Sequence, residues 1–215
     1  GHLVWPLVDQ YGVGWLSQSV YSLRLIKPAY HGDALTVSLA SEASGQNVQC
    51  HNAAGELLAT LDSQADVPAA EHLAALNGDT HKRSGRVEIA WDNVIQGEVF
   101  PEFDFEFTPE ENARYTSEVA DSNPLYAEYV HPHLLCSLAN TTLTTEYVMP
   151  TWIHVGSETR RRAALKVGDT ITVRAVTLDK WQKKGHEFIR LWVTYWRGAE
   201  LTTDILHTAI FKVAS

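Results

Sequence analysis

The clearest structural signals lie in residues 103–144, FDFEFTPEENARYTSEVADSNPLYAEYVHPHLLCSLANTTLT. Phenylalanines alternate with acidic residues through 103–107, a pattern typical of a half-buried strand. Thr108 is a favoured helix N-cap and Pro109 follows it at the first helical position, so a helix should begin here and run to about Ala120. The segment therefore predicts a strand followed directly by a capped helix.

A turn and a second helix come next. Asp121-Ser122-Asn123-Pro124 consists of turn-forming residues and ends the first helix. We expect the second helix over 131–144, with Pro132 able to open it and leucines along one face. The strand patterns that follow lie at roughly 152–163, 170–181, 186–197 and 200–212. One long helix against an antiparallel sheet places the chain in the α+β class.

The first part of the chain repeats landmarks of the second part. Trp15 precedes Gly32-Asp33 at nearly the spacing at which Trp152 precedes Gly168-Asp169, and an apolar helix candidate at 2–12 lies upstream of the first Trp. The first copy has no counterpart of the front strand, helix and turn, so it is predicted to be truncated at its N-terminus. The predicted units are a partial first unit at 1–61, a linker at 62–86 and a second unit at 87–215.

Composition excludes several classes of function. The chain has 215 residues, with 26 acidic against 17 basic residues and a net charge of −9, which argues against a nucleic-acid partner. No apolar run reaches the roughly 20 residues of a membrane span, and the opening lacks the basic region of a signal peptide. Two separated cysteines suit a reducing compartment and form no metal motif, so we expect a cytoplasmic protein without a metal site. The acidic run over 88–118 is predicted to be a solvated face.

Three motifs, in this order along the chain, resemble those of the MaoC-like hotdog dehydratases, which include the R-specific enoyl-CoA hydratases. They are Tyr115 with Asp121-Ser122-Asn123-Pro124-Leu125, then Val130-His131-Pro132-His133-Leu134-Leu135, then Trp152 with Gly168-Asp169-Thr170-Ile171-Thr172-Val173. The resemblance covers residues 87–215 well and residues 1–61 as a degenerate copy, as in the double-hotdog branch, where one chain imitates a hotdog dimer. It implies a duplicated long helix wrapped by an antiparallel sheet. It also implies an acyl-thioester hydratase or dehydratase, an acyl-CoA or acyl-carrier-protein substrate and no cofactor, with a homodimer or a second chain completing the first hotdog.

The resemblance also implies roles for the turn residues. Family members carry an Asp and, five residues later, a His that together hold the reacting water. Asp121 matches the Asp and is expected to be the base, Asn123 matches the turn, and Tyr126 stands in the usual His place. A phenol donates a hydrogen bond but is a poor base at neutral pH. Tyr126 is therefore expected to donate a proton, with His131 or His133 as further catalytic candidates.

The start of the second helix departs from the family as well. Family helices usually begin His-Gly, and the glycine N–H helps to form the oxyanion hole. Pro132 stands in the glycine place and has no N–H, so the N–H of His133 at the helix N-terminus is the expected replacement. Arg160 and Arg162 share one strand face and are expected to meet the phosphates of coenzyme A, with a solvated edge as the alternative. The expected substrate contacts are Asn123, Pro132, Trp152, Arg160 and Arg162.

The departures at Tyr126 and Pro132 leave three interpretations open. The first is a hydratase or dehydratase acting on a 2-enoyl or 3-hydroxyacyl thioester. The second is a repurposed hotdog enzyme, such as an isomerase, cyclase or thioesterase in secondary metabolism. The third is a non-catalytic hotdog subunit that binds acyl ligands. His154 and His207, on predicted strands, are expected to be partly buried residues with structural roles.

Overall fold

The computed structural model describes residues 1–80 and 83–214. The first half contains one helix and four strands: α1 (Trp5–Ser17), β1 (Ser19–Leu25), β2 (Leu35–Glu42), β3 (Gly45–Asn52) and β4 (Leu57–Gln64). The second half contains β5 (Val87–Glu88), β6 (Phe103–Glu106), α2 (Pro109–Glu118), α3 (Leu134–Thr144), β7 (Tyr147–Val148), β8 (Ile153–Arg161), β9 (Thr170–Lys183), β10 (His186–Arg197) and β11 (Glu200–Lys212). Two short 3-10 helices lie at Leu73–Asn77 and Pro124–Ala127.

Nine of the strands form one antiparallel sheet in the order β2-β3-β4-β1-β8-β11-β10-β9-β6. The two halves meet where β1 pairs with β8, with Tyr21 opposite Thr159 and Leu23 opposite Ser157. Outward from this pair, the first half continues in the order β1, β4, β3, β2 and the second half in the order β8, β11, β10, β9. If these four strands are numbered along the chain in each half, both halves have the order one, four, three, two. The sheet is therefore continuous across both halves of the chain.

Helices α1 and α3 pack on the same continuous sheet, each through its own apolar cluster. Helix α1 places Leu7, Val8 and Leu16 against residues of β1, β3 and β4. Helix α3 places Leu135 and Leu143 against the long strands β9 to β11. Tyr126, from the segment between α2 and α3, belongs to the cluster of α1, so this segment lies where the two halves meet.

Several predicted elements are confirmed. Helix α2 begins after Thr108, whose hydroxyl accepts a hydrogen bond from the N–H of Glu111 at 3.1 Å, as expected of an N-cap. The four late strands match the predicted ranges closely, except that β9 continues to Lys183. The α+β class, with a long antiparallel sheet, is also confirmed.

Both apolar helices differ from prediction at an end. Helix α1 does not stop near Gly12 but bends there, at a φ of 57° that glycine adopts easily, and continues to Ser17. Trp15 therefore lies within a helix, whereas Trp152 precedes β8, and the two do not occupy equivalent positions. Helix α3 begins at Leu134, so Pro132 lies before the helix instead of opening it.

The predicted linker has ordered contacts. Strand β4 runs to Gln64, and beyond it the carbonyl of Pro68 accepts from Arg162 while Leu76 packs in a cluster with Trp192. His81 and Lys82 of this linker, like Ser215 of the second unit, lie outside the described residues. The linker therefore covers the sheet face opposite the helices.

The acidic run is not solvated throughout. Glu98 is 4% exposed and accepts hydrogen bonds from Arg83 and Tyr147. The prediction of a solvated face is therefore wrong for Glu98, because an ion pair holds it in the interior.

None of the helices in the described ranges is long and apolar enough to cross a membrane.

Candidate active site

The candidate site lies in the segment that joins α2 to α3. Helix α2 ends through Ala120, whose φ of 51° is uncommon for a residue with a side chain. The N–H of Asp121 then donates to the carbonyl of Thr116 at 3.0 Å. This reversal turns the carboxylate of Asp121 inward, where it is 5% exposed.

Three donors converge on the carboxylate of Asp121. Its Oδ2 accepts from the hydroxyl of Tyr126 at 3.2 Å and lies 3.3 Å from Nε2 of His131. Its Oδ1 accepts from the N–H of Asn123 at 3.2 Å. Tyr126 is 6% exposed and His131 fully buried, so these groups form one water-poor cluster. The structure thus brings together three of the predicted catalytic residues.

Asn112 of α2 holds this segment in place and was not predicted from the sequence. Its side-chain amide donates to the carbonyls of Tyr126 at 2.7 Å and Tyr129 at 3.0 Å, and its oxygen accepts from the N–H of His131 at 3.0 Å. The side chain is 1% exposed. Asn112 therefore fixes Tyr126 and His131, the two residues whose side chains donate to Asp121.

The hydrogen bonds of His131 define its tautomer. Its Nδ1 accepts from the N–H of His133 at 3.2 Å, so its single proton lies on Nε2 and points at Asp121. This arrangement corrects the prediction for the oxyanion hole, because the N–H of His133 is already bonded to an imidazole. Pro132 is buried and offers no N–H in its place.

His133 itself faces a different partner. Its Nδ1 is hydrogen-bonded to the hydroxyl of Tyr115, a residue of the quoted motif for which no role was predicted. Burial lowers the pKa of His133 well below its usual value, and the nearby His131 acts in the same direction. His133 is therefore held neutral and lies beside the Asp121 cluster instead of binding the carboxylate.

The environment separates the pKa values of the cluster. Burial on its own raises the pKa of Asp121, but the hydrogen bonds from His131, Asn123 and Tyr126 outweigh it and the net pKa lies below its usual value. Burial, then the negative charge of Asp121, raises the pKa of Tyr126. Burial lowers the pKa of His131. At neutral pH the cluster thus holds a carboxylate, a phenol and a neutral imidazole.

A second histidine group lies on β8 and β11. Oγ of Ser157 is 2.8 Å from Nε2 of His154 and 3.0 Å from Nδ1 of His207, and the two rings stack with centroids 4.3 Å apart. The Trp152 ring stacks on His207, and its N–H donates to Asn140. Burial, then the neighbouring His154, lowers the pKa of His207 to about 3. Among the described residues, Nε2 of His207 has no hydrogen-bond partner, which a fully satisfied structural histidine would have.

The structure does not bring Arg160 and Arg162 to the site. Both guanidinium groups bind the buried carboxylate of Asp204, and Arg160 also pairs with Glu158. Arg161 points the other way along β8 and donates to the carbonyl of Leu16 in α1 at 2.9 Å. The carboxylates of Asp204 and Glu158 already pair with the two arginines that were expected to meet coenzyme A. Arg161, for which no role was predicted, faces the helices.

Two open clefts of the described chain lie away from this cluster. One cleft of about 430 Å³ is lined by residues of α1, β3 and β4, including Tyr11, Trp15 and Gln46.

Within residues 1–80 and 83–214, no three His, Cys, Asp or Glu side chains are grouped so as to hold a metal ion. What the cluster can do chemically is acid–base work: a carboxylate to take a proton, with a phenol and an imidazole N–H to donate.

Comparison with known proteins supports the fold. No family model matches the chain, and no curated protein matches it. The solved structure of a MaoC-like dehydratase is 13% identical over 99% of this chain and 80% of that chain, with a TM-score of 0.55. At this identity the match shows the fold alone, and the chain has the hotdog-like fold of that dehydratase.

Two further solved structures match at lower scores. The R-hydratase PhaJ1 from Pseudomonas aeruginosa is 18% identical over 60% of this chain and 88% of that chain, with a TM-score of 0.47. The ChsH1-ChsH2 complex from Mycobacterium tuberculosis is 13% identical over 55% of this chain and 98% of that chain, with a TM-score of 0.46. Both scores lie below 0.5 and support no further conclusion.

Proposed function

We propose that this chain hydrates a 2-enoyl thioester, or dehydrates the 3-hydroxyacyl thioester in reverse, at the cluster of Asp121, Tyr126 and His131. The observation that carries the proposal is the convergence of Tyr126 and His131 on one buried oxygen of Asp121. The fold shared with a MaoC-like dehydratase supports the same reaction class. The thioester carrier is coenzyme A or an acyl carrier protein.

In the proposed reaction, protons move between water, Asp121, Tyr126 and the substrate. The carboxylate of Asp121 takes a proton from water while the water oxygen bonds to C3 of the double bond. The pair of electrons displaced from the double bond forms an enolate, and Tyr126 gives its proton to C2. The proton on Asp121 then passes to the Tyr126 phenolate along their hydrogen bond. One water is consumed, and both side chains return to their starting states.

The raised pKa of Tyr126 shapes this role. A phenol with such a pKa stays protonated at neutral pH and hands over its proton only as strong negative charge develops beside it. The Nε2–H of His131 holds Asp121 in position and keeps it ionised. His131 is therefore a positioning residue in this scheme, and Tyr126 is the donor.

We also propose that the chain is a double hotdog in which the sheet of the first half ends at β2. Support comes from the matching strand order of the two halves about the β1–β8 pair. In the second half β6 adds to β9, whereas β2 at the same place in the first half forms the edge of the sheet. Its side chains Leu35, Val37 and Leu39 are only partly buried. A second copy or another chain is the proposed cover for this edge.

The proposal is tested by following loss of the conjugated thioester absorbance with crotonyl-CoA and a longer 2-enoyl-CoA. Asp121→Asn keeps the shape but removes the base, and turnover should fall by about 10²- to 10⁴-fold. Asp104→Asn, at a surface hydrogen bond to Thr172, is the matched control and should keep full turnover. Wild-type turnover that Asp121→Asn leaves intact would exclude Asp121 as the base.

One observation favours a second candidate, a hotdog subunit that binds an acyl thioester without converting it. Both oxygens of Asp121 already accept hydrogen bonds, and the N–H of His133 is bonded to His131. A site with these groups engaged inside the protein offers fewer of them to water and to the thioester carbonyl. This candidate predicts micromolar binding of butyryl-CoA together with no hydration of crotonyl-CoA by folded protein.

A further inference from the structure

Buried polar atoms without partners gather on one part of the sheet. In the described chain, nine buried side-chain nitrogen or oxygen atoms have no hydrogen-bond partner. Seven of these nine lie on the neighbouring strands β1, β8 and β11. Arg160 Nε, the seventh, belongs to a side chain on the opposite face, where it binds Asp204. The other six are Ser19 Oγ, Tyr21 Oη, Thr159 Oγ1, Arg161 Nη1, Thr203 Oγ1 and His207 Nε2. We call these six residues the polar patch. Folded proteins leave few such atoms unpaired, so their concentration in one place requires an explanation.

The register of the strands places the polar patch on a single face. Arg161 pairs with Ser19 on one side and with Thr203 on the other, and Thr159 pairs with Tyr21. His207 pairs with Ser157, one row further along the same face. Directly paired residues project from the same side of a sheet. The patch therefore forms three successive rows on the face that α1 covers.

Arg161 is the charged member of the patch and lacks a counter-ion. Its side chain is 1% exposed, and no carboxylate of residues 1–80 or 83–214 forms an ion pair with it. The Leu16 carbonyl at the end of α1 accepts from Nε, which leaves Nη1 without a partner. The hydroxyl of Tyr21 lies beside Arg161 and Thr159 without a hydrogen bond of normal geometry to either. A buried guanidinium is costly unless an anion faces it.

The patch adjoins the proposed reaction centre. Tyr21 and Tyr126 pack in the same apolar cluster. Burial is the main cause of the pKa shifts of Tyr126 and His131, the two side chains that donate to Asp121. The charge of Arg161 is a smaller cause: it opposes the rise in the pKa of Tyr126 and adds to the lowering of the pKa of His131. The polar patch therefore borders the side chains that are proposed to act at Asp121.

We propose that the polar patch binds a free carboxylate on the acyl chain, so that the substrate is the monothioester of a dicarboxylic acid. A carboxylate matches one guanidinium in charge and accepts two parallel hydrogen bonds from it, while the hydroxyls of Tyr21 and Thr159 fill the remaining acceptor sites. A phosphate carries more charge than the single arginine balances. This inference rests on the proposed function and names its substrate class.

The test measures binding with thioesters that have no double bond and cannot be hydrated. Calorimetric titration with succinyl-CoA and with butyryl-CoA compares a terminal carboxylate with a methyl group on chains of equal length. Wild-type protein should bind succinyl-CoA at least about 10-fold more tightly. Arg161→Met should remove that preference, and Tyr21→Phe, which deletes one hydroxyl, should reduce it about threefold or more. Arg24→Met, on an exposed residue of β1 facing the other way, should preserve it.

The outcomes separate this inference from the proposed function. A preference for succinyl-CoA that depends on Arg161 supports the carboxylate site even if no enoyl thioester is hydrated. Equal affinities for the two thioesters, or no binding of succinyl-CoA, would overturn the proposed carboxylate site. Ordered water would then be the partner of the unpaired atoms in the polar patch. Equal loss of both affinities in Arg161→Met would place the guanidinium on the shared thioester and also overturn it. Thermal unfolding checks each variant, and Tyr21→Phe carries the test if Arg161→Met does not fold.

Discussion

Replacing Asn112 by alanine should destabilise the protein and disable the candidate site together. The asparagine side chain makes three hydrogen bonds with backbone groups of Tyr126, Tyr129 and His131, and all of its polar atoms are buried. Leaving a buried backbone group unpaired costs about 1–3 kcal/mol. Water can enter the space left by the amide and restore part of this. The expected loss in the free energy of unfolding is about 3–5 kcal/mol.

Urea unfolding of wild type, Asn112→Ala and Asn112→Asp measures this loss. Asn112→Asp preserves the shape but replaces the NH₂ group by one carboxylate oxygen that faces two carbonyls, so it should destabilise as much as alanine or more. Asn47→Ala removes a side-chain hydrogen bond to Asp62 at the surface and should cost less than about 1 kcal/mol. A loss below about 1 kcal/mol for Asn112→Ala would refute the view that this side chain holds the segment.

Three further predictions concern the burial of His207, the proton donation by Tyr126 and the close packing at Gly156. The pKa of His207 is about 3 in the folded chain, against about 6.5 when unfolded, so the unfolded chain binds more protons and stability falls as the pH drops below 6.5. The share of this residue at pH 4.5 is ~2.7 kcal/mol, and urea titrations of His207→Gln should lose that share of the pH slope. Tyr126→Phe should lower turnover of crotonyl-CoA by about 10²-fold or more, and a rate equal to wild type would remove Tyr126 as the donor. Gly156→Ala should lower stability by about 1–3 kcal/mol in thermal unfolding, because its Cβ would lie 2.7 Å from the carbonyl oxygen of Leu23, and an unchanged melting temperature would show that β1 and β8 separate easily.

Local chemistry made much of the second half predictable. The Thr108 cap, the turn after Asp121 and the alternation along the late strands are short-range signals, and the structure places helices and strands accordingly. The turn also placed Asp121 and Tyr126 five residues apart, a spacing that brings their side chains into contact on a tight turn. These features depend on neighbours in sequence and are visible there.

Long-range contacts account for what the sequence did not reveal. Asn112 is an ordinary polar residue of a helix until the segment 14–19 residues later folds over it. Arg161 is oriented by its hydrogen bond to the carbonyl of Leu16, which lies 145 residues away in the sequence. The expected roles of Arg160 and Arg162 depended on an open strand face, which the ion pairs with Asp204 and the linker at Pro68 occupy. No local pattern reports such pairings.

The most direct measurement of the central claim is the fate of the oxygen in ¹⁸O-labelled water during incubation with crotonyl-CoA. The account predicts 3-hydroxybutyryl-CoA with one labelled oxygen on C3, formed at least about 10²-fold more slowly by Asp121→Asn. Label in the carboxylate of a released free acid would instead show thioester hydrolysis. That result, or equal labelling rates in wild type and Asp121→Asn, would contradict hydration at Asp121.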